Sequence, residues 1–148
     1  MNLKSLMVDT KSAWINYPGF EDFEVEVVNL AREKLVALRK SCLETRFDRK
    51  TKQPIEELNE KKFIRAFTDA TVKNWRGLKL DYVEQLMLVD ISAEDPNVEL
   101  PYSADNAEAL VSNSADFDTW LNEVVFDLDN FRTKRDGGDV EPAGEVAE

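Results

Sequence analysis

Between Phe63 and Leu78 the chain reads FIRAFTDATVKNWRGL, in which Phe63, Ile64, Phe67, Ala70, Thr71 and Trp75 recur at spacings of three and four residues. That period gathers these side chains on one face of an α-helix, and a face so apolar must lie on a core. Asn59 stands where an N-cap belongs, and Gly77 where a left-handed residue closes a helix. Arg65, Asp69, Lys73 and Arg76 fall off the stripe. The spacing predicts a central packing helix over about 59–76, with Phe67 and Trp75 in its apolar face and Gly77 as its stop.

The flanking segments carry other periods. SAWINY, residues 12–17, has β-type content, Pro18-Gly19 marks a turn, and Phe23, Val25 and Val27 alternate with Glu24 and Glu26. A β-hairpin over about 12–29 is expected, turning around Pro18 to Asp22. Leu30, Leu35, Leu38 and Cys42 then share a helical face over about 31–42, with Cys42 read as a small buried residue. DRKTKQP separates Leu43–Phe47 from Ile55–Leu58 and reads as an exposed loop or the tip of a second hairpin. LKLDYVEQLMLVDI suggests a short helix capped by Asp81, with a strand as the alternative, and AEDPNVELPY an extended connector. Ser103 opens a helix over about 103–113 that turns Ala107, Leu110 and Val111 inward. Phe117, Trp120, Leu121, Val124, Val125, Leu128 and Phe131 form one stripe of a last helix over about 116–131, capped by Ser114 or Asp116. From Thr133 the composition shifts to RDGGDVEPAGEVAE, the profile of a flexible acidic tail over 133–148. The fold class expected is α+β, mainly α-helical: an N-terminal β-hairpin followed by a small helical bundle in one compact domain over 1–132, then a disordered C-terminal tail.

The composition narrows the chemistry. The 148 residues include no histidine and a single cysteine, Cys42. The commonest general base, the usual triad partner and the commonest zinc ligand are therefore missing. With 30 acidic residues no one carboxylate pair stands out, and the acids Glu94, Asp95 and Glu99 lack the glycine and ligand register of a calcium loop. No catalytic residue, metal site or cofactor is expected. A lone cysteine suits a reducing compartment, no apolar run is long enough to span a bilayer, and MNLKSLMVDTKSAW has no secretory h-region. Synthesis in the cytoplasm and no membrane contact are the corresponding expectations.

The net charge of −11 is unevenly distributed. Residues 31–80 carry a net of +7, whereas residues 81–131 hold 13 acids and no lysine or arginine. Such runs form solvated faces that offset each other within one fold, or else let a basic patch of one copy meet an acidic patch of another. The acidic balance disfavours nucleic acid as a partner. Arg46, Arg49, Lys50 and Lys52 form a local basic patch and are candidates for contact with a partner protein. Trp14, Tyr17 and Phe20 at the first turn are further candidates, since a small hairpin cannot bury all three by itself. Phe67, Trp75, Gly77 and Trp120 are read as structural.

Three pieces in succession, VKNWRGL at 72–78, LPYSADNAEALV at 100–111 and FDTWLNEVVFDLDNF at 117–131, resemble the tail assembly chaperones of long-tailed bacteriophages and their prophages. In that family a tryptophan-glycine turn is followed by a polar connector, a Pro-Tyr-Ser or Pro-Phe-Ser helix start and an acidic terminal helix. FEVEVVNLAREKL and FDRKTKQPIEELNEKKF upstream are similar to the family's lead-in, so the resemblance spans roughly 12–131. One departure is that many relatives carry an aspartate-glycine hairpin where this chain has LKLDYVEQLMLVDI. The resemblance implies a non-catalytic protein of the host cell cytoplasm that coats the tape measure protein, keeps it soluble and helps recruit tail tube subunits. It also implies that a programmed frameshift near the gene's end is a possible source of a longer product. The alternatives are a structural minor tail or connector protein of the virion, and an acidic inhibitor that occupies a DNA-binding enzyme.

Overall fold

The computed structural model describes residues 1–7 and 11–132. The segment expected to be a flexible tail, 133–148, lies outside the described residues. A single helical turn, α1 (Leu3–Leu6), precedes strands β1 (Ser12–Asn16) and β2 (Glu24–Val28). They pair antiparallel from Ser12↔Val28 to Asn16↔Glu24, so the hairpin forms as its alternation indicates. Its turn uses two residues with positive φ, Gly19 at +85° and Asp22 at +66°.

Next come α2 (Arg32–Ser41) and a second antiparallel hairpin, β3 (Leu43–Asp48) with β4 (Gln53–Leu58), whose tip is the polar segment after Phe47. Helix α3 (Glu60–Thr71) starts where expected, because the Asn59 side chain accepts from Lys62 N at 3.1 Å. It ends five residues early. Val72 leaves the helix with φ −104° and ψ 116°, and Val72–Arg76 form strand β5. The central helix expected over 59–76 is thus a helix followed by a strand, and Trp75 belongs to the strand.

The reason lies in the pairing. β5 runs antiparallel to β2 and completes a sheet of order β1-β2-β5, with Val25 opposite Trp75 and Val27 opposite Val72. Lys73 is the extra residue of a β-bulge between these pairs. Val25 and Val27 point to one face of β2, so the bulge turns both Val72 and Trp75 to that face although they are three residues apart. A spacing of three reads as helical in a sequence. Here it is a strand with one residue bulged out. Thr71-Val72 and Trp75 favour strand once a partner edge is present.

Gly77 also takes a different part. With φ +76° it ends a strand instead of a helix, and a side chain there would overlap the Asp22 carbonyl oxygen and approach its carbonyl carbon to 2.7 Å. The first turn therefore lies directly against the exit of β5.

After it come α4 (Leu80–Leu86), α5 (Ala104–Asn113), α6 (Ala115–Phe126) and a 3-10 turn at Leu128–Asn130. The segment 78–92 is thus helical at its start; Lys79 occupies the N-cap position and Asp81 sits in the first turn. Ser103 and Ser114 cap α5 and α6, accepting from Asn106 N at 3.0 Å and Phe117 N at 3.1 Å. The last apolar stripe breaks at Phe126, so the helix expected to reach residue 131 stops and the 3-10 turn carries the chain to the buried Phe131.

The architecture is mixed α+β, with six helices and five strands in two small sheets among the described residues. The helices do not stand apart as a bundle. Phe67 of α3, Leu110 of α5 and Phe117, Leu121 and Val125 of α6 share one core with Val25, Val27, Val72 and Trp75 of the sheet. The sheet's other face bears Trp14, Glu24, Glu26 and Arg76, which are exposed or half-buried.

Gly77→Ala combines a left-handed backbone with a clash against main chain, and main chain cannot rotate away as a side chain would. It is expected to destabilise the protein by ~3 kcal/mol or more. Urea unfolding followed by circular dichroism measures this; a midpoint unchanged from the wild type contradicts the close approach.

Candidate protein-interaction site

The three aromatic residues nominated at the first turn separate in the structure. Tyr17 is buried, its ring 5.6 Å from Phe23, 5.8 Å from Phe117 and 5.0 Å edge-on from Trp120. It is a core residue and not a surface contact. The hairpin alone could not cover it, as expected, but α6 does. Phe20 is half-buried and stacks on Tyr82 of α4 at 4.6 Å with planes 5° apart, while the Tyr82 hydroxyl donates to the Glu21 carbonyl at 3.0 Å. Only Trp14 stays at the surface, 38% exposed on the open face of the sheet. The Arg76 guanidinium lies 4.1 Å over its ring and is held by Glu24 at 2.6 Å.

Burial, followed by the nearby Asp116 carboxylate, raises the Tyr17 pKa above its ordinary value of 10.0. Burial raises Tyr102 likewise, with Asp69 as the second cause. Because the folded state holds these protons more tightly than the unfolded chain, their contribution is complete below the unfolded pKa. It is lost as pH rises past it. Stability should thus fall above about pH 10. Tyr17→Phe should reduce that alkaline loss while leaving the neutral-pH midpoint near the wild type's. Urea titrations at neutral and alkaline pH test this, and an identical alkaline decline in both proteins contradicts it.

The basic candidates lie together on the β3–β4 arm. Arg46 sits on β3 and pairs across the strands with Glu57 at 3.0 Å. Asp48 builds the tip: its carboxylate accepts from Lys50 N at 3.0 Å and Thr51 Oγ1 at 3.2 Å, and its carbonyl accepts from Lys52 N at 2.7 Å. Lys52 closes the turn with φ +59°. Arg49, Lys50 and Lys52 are exposed and form no ion pair among the described residues. No residue of β3 or β4 is buried, and Phe47 beside the tip is 62% exposed. The arm is anchored at its base, where Cys42 is buried, Asn59 N donates to the Cys42 carbonyl at 2.9 Å and Asn59 Nδ2 to Glu44 at 3.0 Å. Phe47 was missed as a candidate, although its place beside four basic residues was visible.

Two apolar grooves lie among the helices. One, of about 410 Å³, lies between Leu35 of α2, Phe63 and Ile64 of α3 and Phe126 of α6, with Arg39 5.3 Å over the Phe63 ring. The other, of about 220 Å³, lies between α4, the connector and α5. Arg65 ties α3 to α5 through Asp105 at 2.9 Å and Glu108 at 2.8 Å, while Asp69 on its own helix is at 3.1 Å. The bonds to Glu108, Asp105 and Asp69 raise its pKa further above the ordinary arginine range.

The residues read as structural are buried: Phe67, Trp75 and Trp120 all lie in the core. Trp75 Nε1 donates to the Leu100 carbonyl at 2.9 Å, and the Tyr102 hydroxyl to the Val72 carbonyl at 3.0 Å. Among the described residues no group of three His, Cys, Asp or Glu side chains is placed to hold a metal ion, and no helix is long and apolar enough to cross a membrane. In comparisons with protein-family models, curated proteins and solved structures, none matches this chain.

A two-stranded ribbon exposed on both faces has little burial to protect its hydrogen bonds. Amides of Leu43–Leu58 should therefore exchange with deuterium at least about ten times faster than those of Val25 and Val27 in the central strand. Protection equal to that of β2 in the free protein would show the arm to be covered.

Proposed function

We propose that this chain is a non-catalytic tail assembly chaperone of a long-tailed bacteriophage or prophage. It binds the tape measure protein in the host cytoplasm, keeps it soluble and helps bring tail tube subunits to it. One observation carries the reading: the motifs that resemble the family are joined to each other. VKNWRGL and LPYSADNAEALV are cross-bonded by Trp75 to the Leu100 carbonyl and by Tyr102 to the Val72 carbonyl, and the two rings meet edge-on at 5.3 Å. FDTWLNEVVFDLDNF supplies Phe117, Leu121 and Val125 to the same core. A succession of motifs that is a physical unit is more specific than short strings in order.

The surface suits a binding protein. A client that is long, helical and prone to aggregate requires apolar surface bounded by charge, so that contacts are numerous, weak and reversible. The exposed arm with Phe47, Arg49, Lys50 and Lys52, the ring of Trp14 and the groove beside Phe126 offer such contacts.

Co-expression with the tape measure protein of the same phage or prophage is expected to move that protein from the pellet to the soluble fraction. The pair should co-purify, and purified virions should lack this chain. An insoluble tape measure protein despite co-expression counts against the proposal, and stoichiometric presence in virions would favour a structural tail or connector subunit.

A further inference from the structure

We infer that residues 133–148, which follow the last described residue, seat in the groove between α2, α3 and α6 of the same chain and compete there with any other occupant. The groove, of about 410 Å³, has Leu35, Phe63, Ile64 and Phe126 among its apolar lining. Helix α2 is its weakly fastened wall. None of its ten residues is buried, Leu35 and Leu38 are half-buried, and Val36 is 49% exposed. A helix so short and so open is marginal by itself and gains most from a cover. The segment reaches it. Phe126 stands six residues before Arg132, so the end of the described chain lies within about 23 Å of the groove. The sixteen residues that follow span up to about 50 Å when extended.

Charge selects this occupant. The segment TKRDGGDVEPAGEVAE begins with two cations, Lys134 and Arg135, and then holds five acids from Asp136 to Glu148 with no further lysine or arginine. The surface carries the opposite order. Glu123 and Asp127 stand at the end of α6, and across the groove α2 presents Arg32, Lys34, Arg39 and Lys40 against one acid, Glu33. Neither those two α6 acids nor the four cations form an ion pair among the described residues. Arg32 and Arg39 fall three residues before and four after Leu35, on the side of α2 that borders the groove. Glu60 and Asp118 also line the groove, so the segment's acids lie along α2 and Val140, between Asp139 and Glu141, over the apolar middle. Opposite charges in matching order fix the direction of the segment as well as its place. The contact is within one chain, so the linker sets its effective concentration. It needs no client protein, and a partner that enters the groove must displace the segment first.

Hydrogen–deuterium exchange of the full chain tests this. In about 0.05 M salt the amides of Arg32–Ser41 should exchange about ten-fold or more slowly in the wild type than in a segment variant, Asp139→Lys with Glu141→Lys. An α2 variant, Arg32→Glu with Arg39→Glu, should lose the same protection. Combining all four substitutions should restore it to within about three-fold of the wild type, because the charges are paired again. Unchanged exchange at Val25 and Val27 confirms that each variant is folded. The segment variant alters no described residue, so its comparison with the wild type stands even where the α2 variant unfolds. Equal α2 exchange in the wild type and the segment variant overturns the inference, as does a folded four-fold variant no better protected than the α2 variant. Protection that grows between about 5 and about 200 μM protein overturns it too, since the segment then comes from another molecule.

Discussion

Strand β5 is the constraint on which the structure depends. On one side its backbone pairs with β2; on the other, the segment at 100–102 is fastened to it by the Trp75 indole on the Leu100 carbonyl and the Tyr102 hydroxyl on the Val72 carbonyl. Its far end is fixed by Gly77, which lets the exit of the strand lie against the Asp22 carbonyl of the first turn. A five-residue strand thus meets the hairpin, the connector and, through Val72 and Trp75, the helices packed on the inner face. Buried backbone and indole groups need partners, and here each partner lies in a segment distant in sequence. The same bonds set the places of α4 and α5, and with them the groove between those helices.

The stable part of the molecule is gathered on one side of the sheet. Phe23, Val25, Val27, Val72, Leu78, Phe117, Leu121 and Val125 are wholly buried there. On the other side Trp14 is exposed, and no residue of the two strands of the β3–β4 arm is buried. A ribbon with no buried residue is less protected against local opening than the aromatic cluster around Tyr17. Burial and exposure are thereby assigned to different elements.

The candidate surface was legible in part. The basic residues Arg46, Arg49, Lys50 and Lys52 were visible as a cluster between two apolar runs, and they do project together from a turn. Trp14 and Tyr17, alike in composition and context, could not be told apart from sequence. They lie an odd number of residues apart along one strand and its exit, so they face opposite sides. Which side is covered depends on α6, a hundred residues away. The apolar groove was not legible at all, because Val83, Leu100 and Leu110 meet only after β5 has brought the connector back.

Taken alone, the chain determined what short-range physics controls. The alternation of Phe23, Val25 and Val27 specified a strand, the side chains of Asn59 and Ser103 specified where two helices begin, and the block of 13 acids specified an electrically uneven molecule. Tertiary structure decided the rest, above all between Val72 and Gly77. Helical spacing runs unbroken through Trp75 in the sequence, and intrinsic preferences there differ too little to settle the conformation. The free edge of β2 offers VKNWR backbone hydrogen bonds, and the bulge at Lys73 lets both Val72 and Trp75 reach the core. No local pattern records that edge, so the helix of the sequence becomes a strand in the fold.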